Sequence, residues 1–104
     1  MPVSEPDIEL HYALHALPPG RFPFRRWRFE LWHGPRLLAT GWRTTEHHAE
    51  RALRERAARV AHRFHGLHLL RAENARASGP LRHGGVARVT CGGVSCRLVP
   101  LSAV

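Results

Sequence analysis

Between Trp27 and Phe64 the hydrophobic pattern changes period once, and that change constrains the fold more than any other feature of the chain. Trp27, Phe29 and Leu31 alternate with Arg28, Glu30 and Trp32, the period of two expected of a strand with one buried face. Gly34-Pro35 is a turn signal, and Leu37–Arg43 resumes strand composition. From Glu46 the spacing lengthens. Ala49, Leu53, Ala57, Val60 and Phe64 fall on one stripe of a helix, with Arg51, Glu55, Ala58 and His62 near the opposite pole. The stretch therefore predicts a hairpin, Trp27–His33 with Leu37–Arg43, running directly into a helix over Glu46–Phe64. With Gly34-Pro35 as the loop, Trp32 faces Leu37, Leu31 faces Leu38, Phe29 faces Thr40 and Trp27 faces Trp42. A slip of one residue would reverse the faces.

The helix carries its own boundaries. Thr44 or Thr45 can accept a hydrogen bond from the first free backbone N–H groups, and Glu46 suits the positive end of the dipole. Glu50–Arg54 and Glu55–Arg59 have the favourable i,i+4 order. Gly66 follows the last apolar residue and can take the left-handed conformation that closes a helix.

The flanks are read in the same terms. Ile8, Leu10, Tyr12, Leu14 and Ala16 alternate with more polar residues and predict a strand, stopped by Leu17-Pro18-Pro19-Gly20. Arg21-Phe22-Pro23-Phe24-Arg25-Arg26 is a basic, aromatic connector. Leu67–Arg71 reads as a short strand and 72–85 mostly as loop. Val86–Cys91, Gly92-Gly93 and Val94–Val99 form a compact hairpin signal. It places Ala87, Val89, Cys91, Val94, Cys96 and Leu98 on one face and Arg88, Thr90, Ser95 and Arg97 on the other. Hairpins favour antiparallel pairing, and one amphipathic helix can cover one sheet face. The expected fold is α+β: a two-layer sandwich of an antiparallel sheet of about four to six strands with one long helix on one face. It is expected to be one domain over 1–104, with 1–7 and 101–104 frayed. The uncovered face would carry Arg28, Trp32, Leu37, Arg88 and Arg97.

Charge and composition narrow the function. All 16 basic residues are arginine, against 8 acidic ones, a net charge of +8. A small basic domain attracts phosphate or acidic surfaces. No apolar run approaches the ~20 residues of a membrane span, and the acidic, proline-containing N-terminus lacks the pattern of a secretion signal. A cytoplasmic location is expected. The residues singled out for nucleic-acid or partner contact are Arg21, Arg25, Arg26, Arg28, Trp32, Arg36, Arg88 and Arg97. Guanidiniums neutralise phosphates and exposed rings stack on unpaired bases.

Other chemistries find less support. The histidines and the Cys91/Cys96 pair lack the paired spacing of a structural zinc site. In the two-residue-turn register the two thiols are diagonal neighbours, too far apart to bridge easily; in a four-residue-loop register they would be directly opposed and could bridge; a cytoplasmic setting favours two reduced, buried thiols. There is no nucleophile elbow, no phosphate-cradling glycine loop and no His-Glu-x-x-His. No catalytic residue, metal ligand or cofactor is assigned, and the chain is read as not an enzyme.

Gly41-Trp42-Arg43-Thr44-Thr45 running into Ala49-Glu50-Arg51-Ala52-Leu53 resembles the three-stranded-sheet-plus-helix arm-binding domains of phage-type tyrosine recombinases. The resemblance covers about a third of the chain and excludes the second hairpin. It implies a sheet that enters a DNA major groove, and no site residue is carried over from it. The leading expectation is thus a basic nucleic-acid-binding protein, DNA more than RNA, acting through phosphate contacts. The alternative is a protein-interaction or self-associating domain, pairing with a protein partner or a second copy through the open sheet face. Neither a membrane partner nor a small-molecule substrate is evident.

Overall fold

The Trp27–Phe64 unit folds into the hairpin and helix that its pattern specifies. The computed structural model describes residues 8–67, 72, 75–78, 81 and 85–101. Its elements are β1 (Ile8–Ala16), β2 (Trp27–His33), β3 (Arg36–Arg43), α1 (Glu46–Phe64), β4 (Arg76–Ser78), β5 (Ala87–Cys91) and β6 (Val94–Pro100). Within 72–85, read from the sequence as mostly loop, Arg76–Ser78 pairs with β5. The strand expected at Leu67–Arg71 falls largely on residues outside the described ones, as do residues 1–7 and, except for Leu101, the frayed end expected at 101–104. No helix among the described residues is long and apolar enough to cross a membrane.

The six strands form one sheet in the order β3-β2-β1-β6-β5-β4. It is mixed, which corrects the expectation of an antiparallel sheet. Each three-stranded meander is antiparallel, but β1 and β6 run parallel, with Ile8 opposite Cys96 and Tyr12 opposite Pro100. Hairpins fix antiparallel pairing only between neighbours in sequence. Helix α1 carries the chain from the β3 edge towards the β4 edge, so the last strand meets the first pointing the same way. A parallel pair needs such a long crossover.

Alternation sets the faces. Ile8, Leu10, Tyr12, Phe29, Leu31, Val89, Cys96 and Leu98 are buried in one cluster with the helix residues Ala49, Leu53, Ala57, Ala58 and Ala61. Most of the buried helix residues are alanine, which allows the helix close to the sheet. The Ala57 carbonyl accepts from the Cys96 thiol at 3.7 Å. The buried arc is wider than the stripe read from sequence. Ala58 and His62, expected on the outer pole, are buried, and Gly92 of the β5–β6 turn approaches the His62 ring. Phe64, expected in the core, is 60% exposed. The His62 Nδ1 donates to the Ala58 carbonyl at 2.9 Å.

The boundaries follow the sequence. Thr45 is the N-cap, its hydroxyl accepting from His48 N–H at 3.1 Å. Gly66 has φ 74°, and Gly66 N–H and Leu67 N–H donate to the Arg63 and His62 carbonyls at 3.0 and 2.8 Å. These are the two bonds of a Schellman close. Glu50 pairs with Arg54 at 2.9 Å as expected, whereas Glu55 pairs with Arg51 rather than Arg59. Gly92 and Gly93, at φ 57° and 80°, supply the positive angles that a two-residue type I′ turn needs at both positions.

The hairpin register departs from expectation at one residue. Trp32 faces Leu37 as predicted, but a bulge lies between Leu31 and Trp32, so that Leu31 faces Ala39, Phe29 faces Gly41 and Trp27 faces Arg43. Leu38 is the extra residue. The cause is volume. Without the bulge, Leu38, Thr40 and Trp42 would share the inner face with Leu31, Phe29 and Trp27. With it, the inner positions are Ala39 and Gly41, and the Phe29 ring lies over Gly41, where a Cβ would come within 2.9 Å of Phe29 Cζ. Trp42 moves to the outer face opposite Arg28, and the expected Trp27–Trp42 pair does not form.

Two predictions follow from this packing. Gly41→Val should destabilise by about 1–3 kcal/mol through overpacking, measured by urea unfolding; an unchanged midpoint would place the Phe29 ring elsewhere. Tyr12, the only tyrosine, is 1% exposed, and its hydroxyl donates to the Gly85 carbonyl at 2.6 Å, with the Leu81 carbonyl 3.3 Å away. Burial raises its pKa above the ordinary 10.0. The folded state therefore holds this proton more tightly than the unfolded state. That stability is complete below about pH 10 and is lost as pH rises through the folded pKa. Tyrosinate absorbance should appear later in the folded than in the urea-unfolded protein, and Tyr12→Phe should lower stability at neutral pH while flattening the alkaline decline.

Candidate nucleic-acid interface

Residues 17–26 form a loop whose ends are tied by the Leu17 N–H donating to the Arg26 carbonyl at 2.8 Å. Pro18, Pro19 and Pro23 limit its conformations. Its aromatic residues fold back towards Trp42, which the bulge has turned outward. The Phe22 and Phe24 rings stack with centroids 5.2 Å apart and 20° between planes, and Phe24 and Trp42 at 6.3 Å and 17°. The Arg26 guanidinium sits 5.3 Å from the Phe22 centroid and 5.9 Å from that of Trp42. Gly20 makes room for it, since a Cβ there would lie 3.2 Å from Arg26 Nη2. All three rings remain 41–50% exposed.

The residues singled out from sequence are dispersed over three places. Arg21, Arg25 and Arg26 lie in the aromatic loop. Arg28, Trp32, Arg88 and Arg97 lie on the outer sheet face, as predicted. Arg36 sits at the far end of β3, opposite His33.

The middle of the outer face is close to neutral. Glu30 accepts from Arg28 Nε at 3.1 Å and from Trp32 Nε1 at 3.0 Å, and Arg97 is 3.8 Å from Glu9. Arg28 and Arg97 therefore already have carboxylates, and Trp32 is half-buried with its one donor used. By contrast, Arg21, Arg25, Arg26 and Arg43 make no ion pair among the described residues. Excess positive charge and exposed rings thus coincide at the loop 17–26 corner.

Trp42 is the residue the sequence reading assigned to the wrong face. The signal was the alternation of small residues Ala39 and Gly41 across from Leu31 and Phe29, which favours the shifted register.

Among the described residues no three of His, Cys, Asp and Glu gather as a metal site; His68 and His83 lie outside them. Cys91 and Cys96 are not joined in a disulfide and are buried. Cys91 faces Val94 and Cys96 faces Val89, the diagonal relation expected of the two-residue turn. Comparison with family models, with curated proteins and with solved structures finds no match.

Both thiols should resist a bulky disulfide reagent in the native protein and react fully in denaturant. Rapid native labelling of either, read by mass, would contradict their burial.

Proposed function

We propose that the chain binds unpaired nucleic acid at the corner formed by loop 17–26 and Trp42. The observation that carries this reading is the near-parallel stack of Phe22, Phe24 and Trp42, exposed beside arginines with no carboxylate partner among the described residues. Unpaired bases offer π-faces that stack on such rings, at about 1–3 kcal/mol per base. Duplex DNA hides those faces. A strand crossing the corner would place phosphates near Arg21, Arg25, Arg26 and Arg43. The reading takes helix and sheet as two layers, with the outer sheet face open. It moves the contact away from Arg28 and Arg97, whose charges Glu30 and Glu9 oppose.

Self-association through the β3 edge is less favoured. β3 is an outer strand of the sheet, but it carries a bulge and ends in Arg36 and Arg43. Bends and charges of this kind discourage strand addition.

The test is a titration with a single-stranded oligonucleotide of about 12 residues and the matching duplex, across a salt series. The single strand should bind tighter. Trp42→Ala should weaken it by about 5- to 150-fold, the equivalent of 1–3 kcal/mol, with the salt slope retained. Replacing Arg21, Arg25 and Arg26 together by Gln should reduce the slope of log affinity against log salt by about two. Absence of binding at low salt, or a preference for duplex, would overturn the reading.

A further inference from the structure

At the other end of β3 the helix and the sheet part to leave a cleft of about 380 Å³. Ile8, Leu38 and Val60 line it with the rim residues Arg36 and Arg63. His33 and Phe64 line it as well; the Phe64 ring is 60% exposed and meets the His33 ring edge-on at 6.3 Å. Leu38, the extra residue of the bulge, is partly buried against the core. The cleft therefore joins an apolar lining to cationic groups. Neither Arg36 nor Arg63 makes an ion pair among the described residues. Arg63 lies in the last helical turn, where it also complements the dipole; Arg36 has no such use.

A ligand that satisfies this lining carries an anionic head and an apolar chain. A bare anion leaves the apolar wall in water, and an uncharged chain leaves the guanidiniums unmatched. Guanidinium meets carboxylate in a two-point hydrogen-bonded geometry. The geometry points to a binding site for a small amphiphilic carboxylate, its head between Arg36 and Arg63 and its chain against Leu38 and Val60. The cleft and the aromatic corner share no residue, so this site stands or falls independently of nucleic-acid binding.

The test uses the full chain with hexanoate, octanoate and decanoate, followed by calorimetry. Acetate, octan-1-ol and inorganic phosphate are the comparison probes. Octanoate should bind saturably, with affinity rising about fourfold per added methylene until the cleft is filled, and at least about tenfold more tightly than acetate or octanol. Arg36→Gln and Arg63→Gln should each weaken octanoate by about tenfold or more. Arg28→Gln, on the opposite sheet face, should leave it unchanged. Since Arg63 also serves the helix end, Arg36→Gln decides if Arg63→Gln loses helical circular dichroism. Any of three results overturns the proposal: no saturable octanoate binding, octanol binding as tightly as octanoate, or arginine variants that bind like the parent. Phosphate binding as tightly as octanoate would do the same, by showing a plain anion site.

Discussion

The close approach of α1 to the sheet governs the rest of the molecule. The helix contributes mostly alanine to the core, and its backbone comes within hydrogen-bonding distance of the Cys96 thiol. On the inner face of β3 the Phe29 ring lies over the position opposite it, where even a Cβ would come within 2.9 Å of the ring. The strand answers with one extra residue, Leu38, which presents Ala39 and Gly41 inward and turns Trp42 outward. The exposed aromatic corner is thus a by-product of core packing. The same bulge residue lines the cleft at the other end of the strand. One insertion in one strand shapes both candidate sites.

How far the sequence could be read depends on the range of the interactions involved. The limits of β1, β2 and α1, the Thr45 cap and the Gly66 close were all legible, because each rests on neighbours within a few residues. So was the β5–β6 register, fixed by Gly92-Gly93. The parallel β1–β6 pairing was not legible, since no local signal says which strands of two meanders meet. The burial of Ala58 and His62 was missed because the stripe was judged from the larger apolar residues, while contact with the β5–β6 turn extends it on the alanine side. The bulge falls between: its cause, a large ring needing a glycine opposite, is written in the sequence but only read once Phe29 and Gly41 are known to face each other.

The candidate site shows a related division. Counting arginines identified Arg21, Arg25 and Arg26, which make no ion pair among the described residues, and equally Arg28 and Arg97, which do. Net charge reports how many cations a chain carries, not which of them remain available. Glu9 and Glu30 decide that here, because their strands place them on the same face as the arginines they oppose. The ring positions divide likewise. Phe22 and Phe24 were exposed by their loop, whereas the one-residue shift in register turned Trp42 outward and left Trp32 opposite Leu37, where it was expected.

The β1–β6 pairing has a consequence for synthesis. β1 precedes the strand that covers its second edge by some 80 residues. At about 5–20 residues per second, β1 waits roughly 4–16 s on the ribosome with one row of backbone donors and acceptors unmatched. During that interval the nascent first meander presents a sheet edge able to accept a strand from another chain. The hazard is greatest where several ribosomes translate one message side by side.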